Sequence, residues 1–462
     1  MPNTELQTAP EADNEDYALS KKLVAGVLYA LEAQDRHTLI ELTEPLHPAD
    51  IADLLEQISP LDRRRLVQLY GEEFDGDILS ELDDGLREEV MAVLKPDVLA
   101  EAVRDLESDD IVDIVEDLDE PAQEAILETL EDADRVAVEQ ALSYPENTAG
   151  RLMQRETVCA PEHWTVGEAS DYLRSAEELP EQFYHVILVD PRMKPVGNVT
   201  LGKLMSSHRD LPLTKVVEEL FQVIPATQDE EDVAYAFNQY HLISAPVVDE
   251  DERLVGVITI DDAMVVLDEE HEEDILRMAG VSDEASLSDT ILDAAKGRAT
   301  WLFVNLLTAI LASGVINLFA DTVDQMVALA VLMPIVASMG GNAGTQTMTV
   351  TVRALATKDL TAQNAWRVIR REVSVGALNG ALFGLIMAGV AGVWFGVPML
   401  ALVIAVAMFL TQIAAALGGI LIPMTLERMN VDPALASGPF VTTVTDVVGF
   451  FLFLGLSAHM LL

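Results

Sequence analysis

Positive charge, cysteine and an apolar N-terminal segment are what this sequence of 462 residues lacks most clearly. Only 28 Lys and Arg stand against 78 Asp and Glu, a formal net charge of −50. This balance argues against nucleic acids and anionic lipid surfaces as partners, because both require a basic excess. The single cysteine, Cys159, excludes an internal disulfide. Residues 1–17 are polar, so we recognise no signal peptide and expect the soluble region to stay on the cytoplasmic side.

The negative charge is unevenly distributed along the chain. After Arg298 the sequence has 7 acidic and 6 basic residues, so almost all of the net charge lies in residues 1–298. We interpret residue 298 as the boundary between a soluble part and a membrane part, and the length favours several domains. The acidity has two interpretations: a solvated surface, including adaptation to high salt, or a surface that binds cations.

Five apolar segments after residue 298 are each long enough to span a bilayer as a helix. They are residues 301–319, 327–351, 373–394, 399–424 and 438–461. Lys and Arg occur before the first segment, between the second and third, and between the fourth and fifth. This distribution predicts a multi-pass protein of the cytoplasmic membrane, with its N-terminus in the cytoplasm and its C-terminus on the extracellular or periplasmic side.

Asp446 lies about a third of the way along the fifth segment. A carboxylate at this depth is costly unless it faces water, a cation or a hydrogen-bonding partner. It either bonds a Thr or Ser of a neighbouring helix or lines a cation pathway. The second interpretation is favoured, because hard cations such as Mg²⁺ prefer oxygen ligands. Thr442, Thr443 and Thr445 add hydroxyl groups, and Pro439 is expected to release backbone carbonyls near the start of the segment.

The second apolar segment contains a polar, glycine-rich run, GGNAGTQ, at residues 340–346. Small residues let helices pack closely, so one interpretation is simple packing. The side chains of Asn342, Thr345 and Gln346 support the other, a polar lining of a pore. We expect the segment to be broken at the small and polar residues Gly340, Gly341, Asn342 and Gly344.

The soluble part begins with helices. Residues 39–142 show apolar residues at helical spacing, separated by short acidic turns, which predicts an α-superhelical domain. The sequence then repeats a strand-strand-helix unit over residues 152–266, with an offset of 59 residues between Val186-Ile187-Leu188-Val189-Asp190 and Ala245-Pro246-Val247-Val248-Asp249.

This repeat resembles a pair of cystathionine-β-synthase-type (CBS) modules. In that family a Thr and an Asp three residues apart often hold a nucleotide ribose, and Thr259 and Asp262 fit this pattern. The first copy has Thr200 but Lys203 in place of the Asp. The resemblance therefore implies nucleotide binding, ATP included, at one site only.

A strongly acidic segment, residues 267–279, joins the repeat to the membrane part and is predicted to be helical. Glu270, Glu273 and Asp274 lie three and four residues apart, on one helix face. Such a run is either a solvated face or, because it directly precedes the first apolar segment, a cation site at the membrane entrance.

Three motifs and the domain order together resemble the MgtE family of magnesium channels and transporters. The motifs are the run YPENTAGRLM at residues 144–153, Gly340-Gly341-Asn342, and VDPAL at residues 431–435. The resemblance covers nearly the whole chain after about residue 35 and implies two protomers around one pore, lined by the second and fifth spans. It gives the following domains: a polar extension (1–35), an acidic helical domain (36–150), tandem CBS modules (151–266), a connecting plug helix (267–298) and a five-helix transmembrane domain (299–462).

The resemblance also implies roles for individual residues. Mg²⁺ would be bound in the pore by Asp446 and the Thr442 carbonyl, and the pore lining would include Gly340, Gly341, Asn342, Gly438 and Pro439. Mg²⁺ would be bound on the plug helix and at its membrane-side partner by Glu270, Glu273, Asp274 and Asp432, and between the soluble domains by Asp77, Asp109, Asp113, Glu231 and Asp262. Three positions depart from the best-known members, namely His241, Val265 and Gly438, and Asp262 has two roles open to it, ribose or Mg²⁺.

The function implied is Mg²⁺ uptake across the cytoplasmic membrane by a homodimer, closed when internal Mg²⁺ binds to the acidic domains; Co²⁺, Ni²⁺ and Mn²⁺ are further candidate ions. Two alternatives remain: a proton- or sodium-coupled transporter that uses Asp446 as its coupling carboxylate, and a membrane-anchored nucleotide sensor without transport. An enzyme is the least favoured class, because the sequence has neither a Gly-rich phosphate-binding loop nor a Cys/His cluster.

Overall fold

A computed structural model of the chain describes residues 19–104, 106–116, 118, 120–176, 179–180, 182–281 and 291–461. The chain divides into two compact units, Met1–Leu267 and Asp268–Leu462. Residues 1–18, which are most of the predicted N-terminal extension, lie outside the described residues. Residues 282–290 of the predicted connecting segment also lie outside them.

The first part of unit one is made of short helices. They are α1 (Lys21–Ala33), α2 (Arg36–Thr43), α3 (Pro48–Gln57), α4 (Pro60–Tyr70), α5 (Asp77–Ser80), α6 (Asp84–Val93), α7 (Pro96–Arg104), α8 (Ser108–Glu116), α9 (Glu120–Leu127), α10 (Asp132–Ala141) and α11 (Ala149–Leu152), with a 3₁₀ turn at Gly71–Glu73. We call α1 to α10 the helical domain.

The helix starts in this domain follow from local capping. Ser59 caps α4, accepting a hydrogen bond from the backbone N–H of Asp62, with Pro60 in the first helical position. The apolar faces meet in one continuous core, to which α1 contributes Val27 and Ala30. The helical core therefore begins earlier than the predicted boundary at residue 36, because α1 has an apolar face of its own.

The second part of unit one contains two three-stranded sheets. The strands are β1 (Cys159–Pro161), β2 (His185–Val189), β3 (Pro195–Thr200), β4 (Ile224–Pro225), β5 (Ser244–Val248) and β6 (Leu254–Thr259). The helices are α12 (Val166–Ser175), α13 (Leu201–Ser206) and α14 (Glu230–Tyr240), with a 3₁₀ turn at Leu213–Lys215.

The two sheets confirm the predicted repeat. Their orders are β1-β2-β3 and β4-β5-β6, each with a parallel and then an antiparallel pair. His185 pairs with Thr200 in the first sheet as Ser244 pairs with Thr259 in the second, and the register shifts at the equivalent points, Leu188/Val189 and Val247/Val248. Each copy has its own core, and Ile187, Val189 and Val257 form a further cluster that both copies share.

The helix α15 (Ile260–Ala279) follows directly on β6. Its first turns pack Ala263 into the core of the second repeat. The acidic helix thus starts seven residues earlier than the predicted residue 267, because the last helix of the repeat continues into it without a breaker.

Unit two contains the apolar helices. They are α16 (Ile291–Asn317), α17 (Ala320–Gln325), α18 (Val327–Ala356), α19 (Ala365–Phe395), α20 (Pro398–Arg428) and α21 (Pro433–Met460). Among the described residues five of these, all except α17, are long and apolar enough to cross a membrane. This confirms the predicted five-helix transmembrane domain. Of the five, α20 has the largest share of buried residues within the chain and α16 has the smallest.

The predicted break in the second span is wrong. α18 is continuous from Val327 to Ala356 through all of its glycines. In an apolar medium an interrupted helix leaves backbone groups without partners, whereas a glycine inside a helix keeps its backbone bonds and admits a neighbouring helix. Gly344 uses this freedom: a Cβ there would lie 2.7 Å from a methyl of Val441 and 3.0 Å from one of Thr445.

Candidate cation and nucleotide sites

The start of α8 is held against the segment that leads into the first sheet. The hydroxyl of Ser108 donates to Glu156 (2.8 Å) and accepts from the backbone N–H of Arg155 (2.8 Å). The amide of Gln154 donates to the Glu107 carboxylate at 2.9 Å. These bonds fix the acidic first turn of α8, within unit one, beside the repeat.

Several carboxyl groups lie close enough at this contact to raise one another's pKa, among them Glu107, Asp109, Asp110 and Asp262. Burial, and after it the charge of Asp262, holds the pKa of Asp109 well above its ordinary value. The same two causes raise the pKa of Asp110 to about 7. Burial also raises the pKa values of Glu107 and Asp262. The free energy of the docked arrangement is therefore lowered by anything that neutralises these carboxylates.

The other predicted acids of unit one are placed around this group to different extents. The charges of Asp77 and Asp113 both act on Asp110, so these two lie near the cluster. Asp113 also pairs with the buried guanidinium of Arg87 at 2.8 Å. Glu231 is exposed in the first turn of α14, where its backbone N–H donates to Asp229.

No three His, Cys, Asp or Glu side chains form a ready-made metal site within the described ranges. The carboxylates between α8 and α15 thus converge without closing into a direct coordination shell.

Thr259 and Asp262 are bound to each other at the start of α15. The Thr259 hydroxyl donates to the Asp262 carboxylate at 2.6 Å, and the Thr259 backbone N–H donates to the same oxygen at 3.3 Å. The cleft between the repeats is lined by Thr259, Tyr184, His185 and Ser244, among others, and its cavity volume of about 20 Å³ holds about one water molecule. This cleft, as it stands, is too small for a nucleoside.

The first repeat fills the equivalent position differently. The ammonium group of Lys203 donates to the Val217 carbonyl at 3.0 Å and lies 3.7 Å from the Glu218 carboxylate. The Thr200 hydroxyl also donates to Glu218, at 3.2 Å. Lys203, which stands where the second repeat has Asp262, thus binds groups within the first repeat.

In unit two the end of α15 carries an ion-pair network. The two terminal nitrogens of Arg277 lie 2.9 Å from Asp432 Oδ2 and 2.8 Å from a Glu273 oxygen. Burial, and after it the charge of Asp432, raises the pKa of Asp274. Three of the predicted acids, Glu273, Asp274 and Asp432, are therefore brought together, with Glu270 one turn earlier on the same helix.

The residue after Arg277 reaches the apolar helices. Met278 packs against a small core formed by Met348, Val352, Ala434 and Val441. A Cβ at Gly438 would lie 3.6 Å from the Met278 carbonyl oxygen. The end of α15 thus touches α18 and α21, the two spans predicted to line a pore.

Asp446 is half-buried on α21. One turn earlier, Thr442 is exposed, and its carbonyl accepts a hydrogen bond from the Thr445 hydroxyl at 2.9 Å. The Pro439 carbonyl accepts from the Thr443 hydroxyl at 2.6 Å, and the Pro439 side chain is buried.

The glycine-rich run of α18 divides between two faces. Gly340 and Gly344 are buried against α20 and α21; a Cβ at Gly340 would lie 2.8 Å from a Thr411 methyl. Gly341 faces open space, and Asn342 is exposed. The packing interpretation therefore fits Gly340 and Gly344, and the polar-lining interpretation remains for Gly341 and Asn342.

Three family models match successive parts of the chain. Residues 46–147 match the MgtE intracellular N domain, residues 209–269 match a CBS domain, and residues 333–456 match the MgtE divalent cation transporter. The sequence is 33% identical over 326 residues to the magnesium transporter MgtE of Bacillus subtilis, covering 70% of this chain and 71% of that protein. It is 31% identical over 452 residues to MgtE of Thermus thermophilus, covering 96% and 99%.

The chain belongs to the MgtE family. The predicted resemblance to this family is thereby confirmed. The prediction of a multi-pass membrane protein is confirmed as well, and its class is that of the divalent cation transporters. Among solved structures, the cytosolic domain of an Mg²⁺ channel MgtE in complex with ATP is similar, with 28% identity, a TM-score of 0.49, and coverage of 53% of this chain and 99% of that one.

The structure adds residues to those that the MgtE resemblance implied. Glu107 and Asp110 join the acidic contact. The sequence run Glu107-Ser108-Asp109-Asp110 could have predicted this, because acids beside Asp109 at the start of a helix share its surroundings. Arg277 joins Glu273 and Asp432. Its spacing of four residues from Glu273 predicts the ion pair with that residue, but no local pattern predicts the ion pair with Asp432, 155 residues away.

Proposed function

We propose that this protein is a Mg²⁺-selective channel that mediates Mg²⁺ uptake across the cytoplasmic membrane and is closed by intracellular Mg²⁺. Membership of the MgtE family, and the naming of the relatives as magnesium transporters, support Mg²⁺ as the transported ion. The half-buried carboxylate of Asp446, in a helix that crosses the membrane, is the observation that carries the proposal.

In the permeation pathway, Asp446 attracts the ion and the Thr442 carbonyl lies one turn before it. Two copies of the chain face each other, and α18 and α21 of each contribute to the pore, with Gly341, Asn342, Gly438 and Pro439 near its wall. Mg²⁺ holds its water shell more tightly than larger cations do, so paired carboxylates would select the hydrated ion. Asn342 is exposed in the single chain, as a pore-facing residue would be.

Closure depends on the acids of the soluble part. At low Mg²⁺ the carboxylates of Asp109, Asp110 and Asp262 repel one another and oppose docking of α8 on α15. Mg²⁺ that enters this contact removes the repulsion, with Asp77, Asp113 and Glu231 as further ligands. An ion that binds the closed state more tightly than the open state shifts the population toward closed. The raised pKa values of Asp109 and Asp110 support this mechanism of closure. They show that the charged carboxylates are unfavourable at this contact, and a bound ion would offset that unfavourable free energy.

The regulatory region has two further parts in this proposal. The plug helix, the acidic part of α15 with Glu270, Glu273 and Asp274, binds Mg²⁺ together with Asp432. The second repeat binds ATP through Thr259 and Asp262, at the expense of their mutual hydrogen bonds. We retain the predicted domain order, with the helical domain extended to include α1, and the predicted cytoplasmic N-terminus.

Mg²⁺ flux into liposomes tests the proposed pore. The full-length protein is expected to conduct Mg²⁺, and Asp446→Asn is expected to lower the flux at least about tenfold, because a neutral amide no longer attracts the cation. Asp324→Asn, an exposed acid of α17, is the matched control and is expected to leave the flux unchanged. Equal flux through Asp446→Asn and the wild type would refute the assigned pore residue, and a wild type without flux would refute the function.

A further inference from the structure

Arg277 is the only Lys or Arg in α15, and it lies in the last turn of that helix. Its side chain is 23% exposed and pairs with a carboxylate on its own helix and with another outside it. The partner on its own helix is Glu273, one turn earlier. The partner outside that helix is Asp432, immediately before α21. A single guanidinium therefore connects two helices of unit two.

Asp432 offers a well-positioned oxygen for this contact. It is the N-cap of α21, and its Oδ1 accepts the backbone N–H of Ala434 at 2.7 Å. Its Oδ2 accepts from Arg277 at 2.9 Å. The capping bond fixes the carboxylate, so the arginine binds a group whose orientation is already determined by the helix start.

Acidic groups outnumber the arginine at this contact. Glu273, Asp274 and Asp432 bring three negative charges together, and Arg277 supplies one positive charge. Glu270, the fourth acid of the proposed site, lies one turn earlier, so the acids outnumber the arginine by three and leave negative charge for a divalent cation. The guanidinium and a bound Mg²⁺ therefore act on the same carboxylates, and the arginine supplies part of the attraction between the two helices without the ion.

The contact also lies where it affects the entrance of the apolar helices. Met278 follows Arg277 and packs against the small core to which α18 contributes Met348 and α21 contributes Ala434 and Val441. Holding Arg277 on Asp432 thus keeps Met278 in place between the two spans that we propose to line the pore.

We propose that Arg277 is a built-in closing cation: it ties α15 to α21 when Mg²⁺ is absent and thereby lowers the concentration of Mg²⁺ needed for closure. This inference rests on the proposed closure by internal Mg²⁺. When the closed arrangement is already favoured by the ion pair, the ligand has to contribute less differential binding to shift the population.

Titration of flux against internal Mg²⁺ tests the inference in the full-length protein. Arg277→Gln is expected to raise the half-closing concentration roughly three- to tenfold, the range for loss of a half-buried charged contact. The half-closing concentration of Arg277→Lys is expected to lie between those of the wild type and Arg277→Gln. Lysine keeps the positive charge but lacks the planar guanidinium that bonds two carboxylates. Arg428→Gln, which removes an exposed base of α20, is the control and is expected to match the wild type.

A half-closing concentration that is unchanged or lower in Arg277→Gln would overturn the inference, the lower value meaning that the arginine competes with Mg²⁺. The proposed function is tested separately by the wild type. If the wild type conducts Mg²⁺ at every internal concentration, closure itself is refuted. If the wild type closes and Arg277→Gln closes identically, only the inference fails.

A cross-linking measurement keeps the test independent of flux. Cysteines introduced by Met278→Cys and Ala434→Cys, in a Cys159→Ser background, report the contact between α15 and α21 through a short thiol-reactive cross-linker. With Mg²⁺ chelated, adding Arg277→Gln is expected to lower the cross-linked fraction several-fold, and Mg²⁺ is expected to restore it. Equal cross-linking with and without Arg277 in the chelator would contradict the tie.

Discussion

His185 and Ser244 occupy equivalent positions in the two repeats, 59 residues apart, and their side chains meet at 2.6 Å. Burial lowers the pKa of His185, so the folded repeat favours the neutral imidazole. The stability that this provides is fully present above the ordinary pKa of about 6.5 and is lost as the pH falls through that value toward the lowered one.

We expect His185→Gln to reduce the loss of stability of the repeat between about pH 7 and about pH 5, because glutamine keeps a hydrogen-bonding group for Ser244 but takes up no proton. Hydrogen exchange of β2 and β5 in the full-length protein measures this. His208→Gln, at an exposed histidine, is the control and is expected to keep the wild-type pH dependence. An identical pH dependence in all three proteins would mean that His185 does not titrate with unfolding.

Single residues were predictable where their partners are close in sequence. Thr259 and Asp262 are three residues apart, and the spacing that predicted a shared role corresponds to a hydrogen bond between them. Arg87 with Asp113, and Arg277 with Asp432, are pairs that only the fold brings together. No periodicity within one helix contains that information.

At the scale of helices, close packing in the apolar bundle depends on glycine. A Cβ at Gly419 of α20 would lie 2.6 Å from the Gly344 carbonyl oxygen and 2.9 Å from the Met348 nitrogen, both backbone atoms of α18. We expect Gly419→Ala to destabilise the bundle by about 1–3 kcal/mol, because overpacking moves a whole helix. The apparent thermal unfolding temperature in detergent measures this.

Gly389→Ala is the matched control for this prediction. Gly389 lies in α19, and a Cβ there meets nothing within 4 Å. The same substitution then gains helix propensity without a clash, and we expect an unfolding temperature equal to or slightly above that of the wild type. If both alanines had the same effect, close approach of α18 and α20 would not be what requires Gly419.

The elements were predicted best where the pattern is long. The five spans follow from the length of apolar sequence, and the two sheets follow from the repeat at 59 residues. The break expected in α18 was wrong, because glycine interrupts helices in water more readily than in a medium without other hydrogen-bonding partners. The start of α15 at Ile260 was missed, because two functional segments share one continuous helix.

At the scale of the whole molecule, the acidity of residues 1–298 has consequences of two kinds. A high net charge of one sign opposes the compact state by self-repulsion, and any salt relieves this by screening. The buried group of Asp109, Asp110 and Asp262 differs from the surface charge, because screening by monovalent salt is weak at buried carboxylates. Stabilisation that requires a divalent ion therefore indicates an effect at these buried carboxylates, whereas stabilisation by any salt indicates an effect at the acidic surface.

We expect millimolar Mg²⁺ to raise the thermal stability of the full-length protein more than NaCl of the same ionic strength does. Asp109→Asn and Asp262→Asn, singly and together, are expected to raise the stability without Mg²⁺ and to reduce the additional effect of Mg²⁺, because the amides remove the repulsion that the ion offsets. Glu128→Gln, at an exposed acid of the helical domain, is expected to leave the additional effect intact. Equal stabilisation by Mg²⁺ and by matched NaCl would assign the acidity to solvation or high-salt adaptation, and closure by internal Mg²⁺ would then need a site other than the contact between α8 and α15.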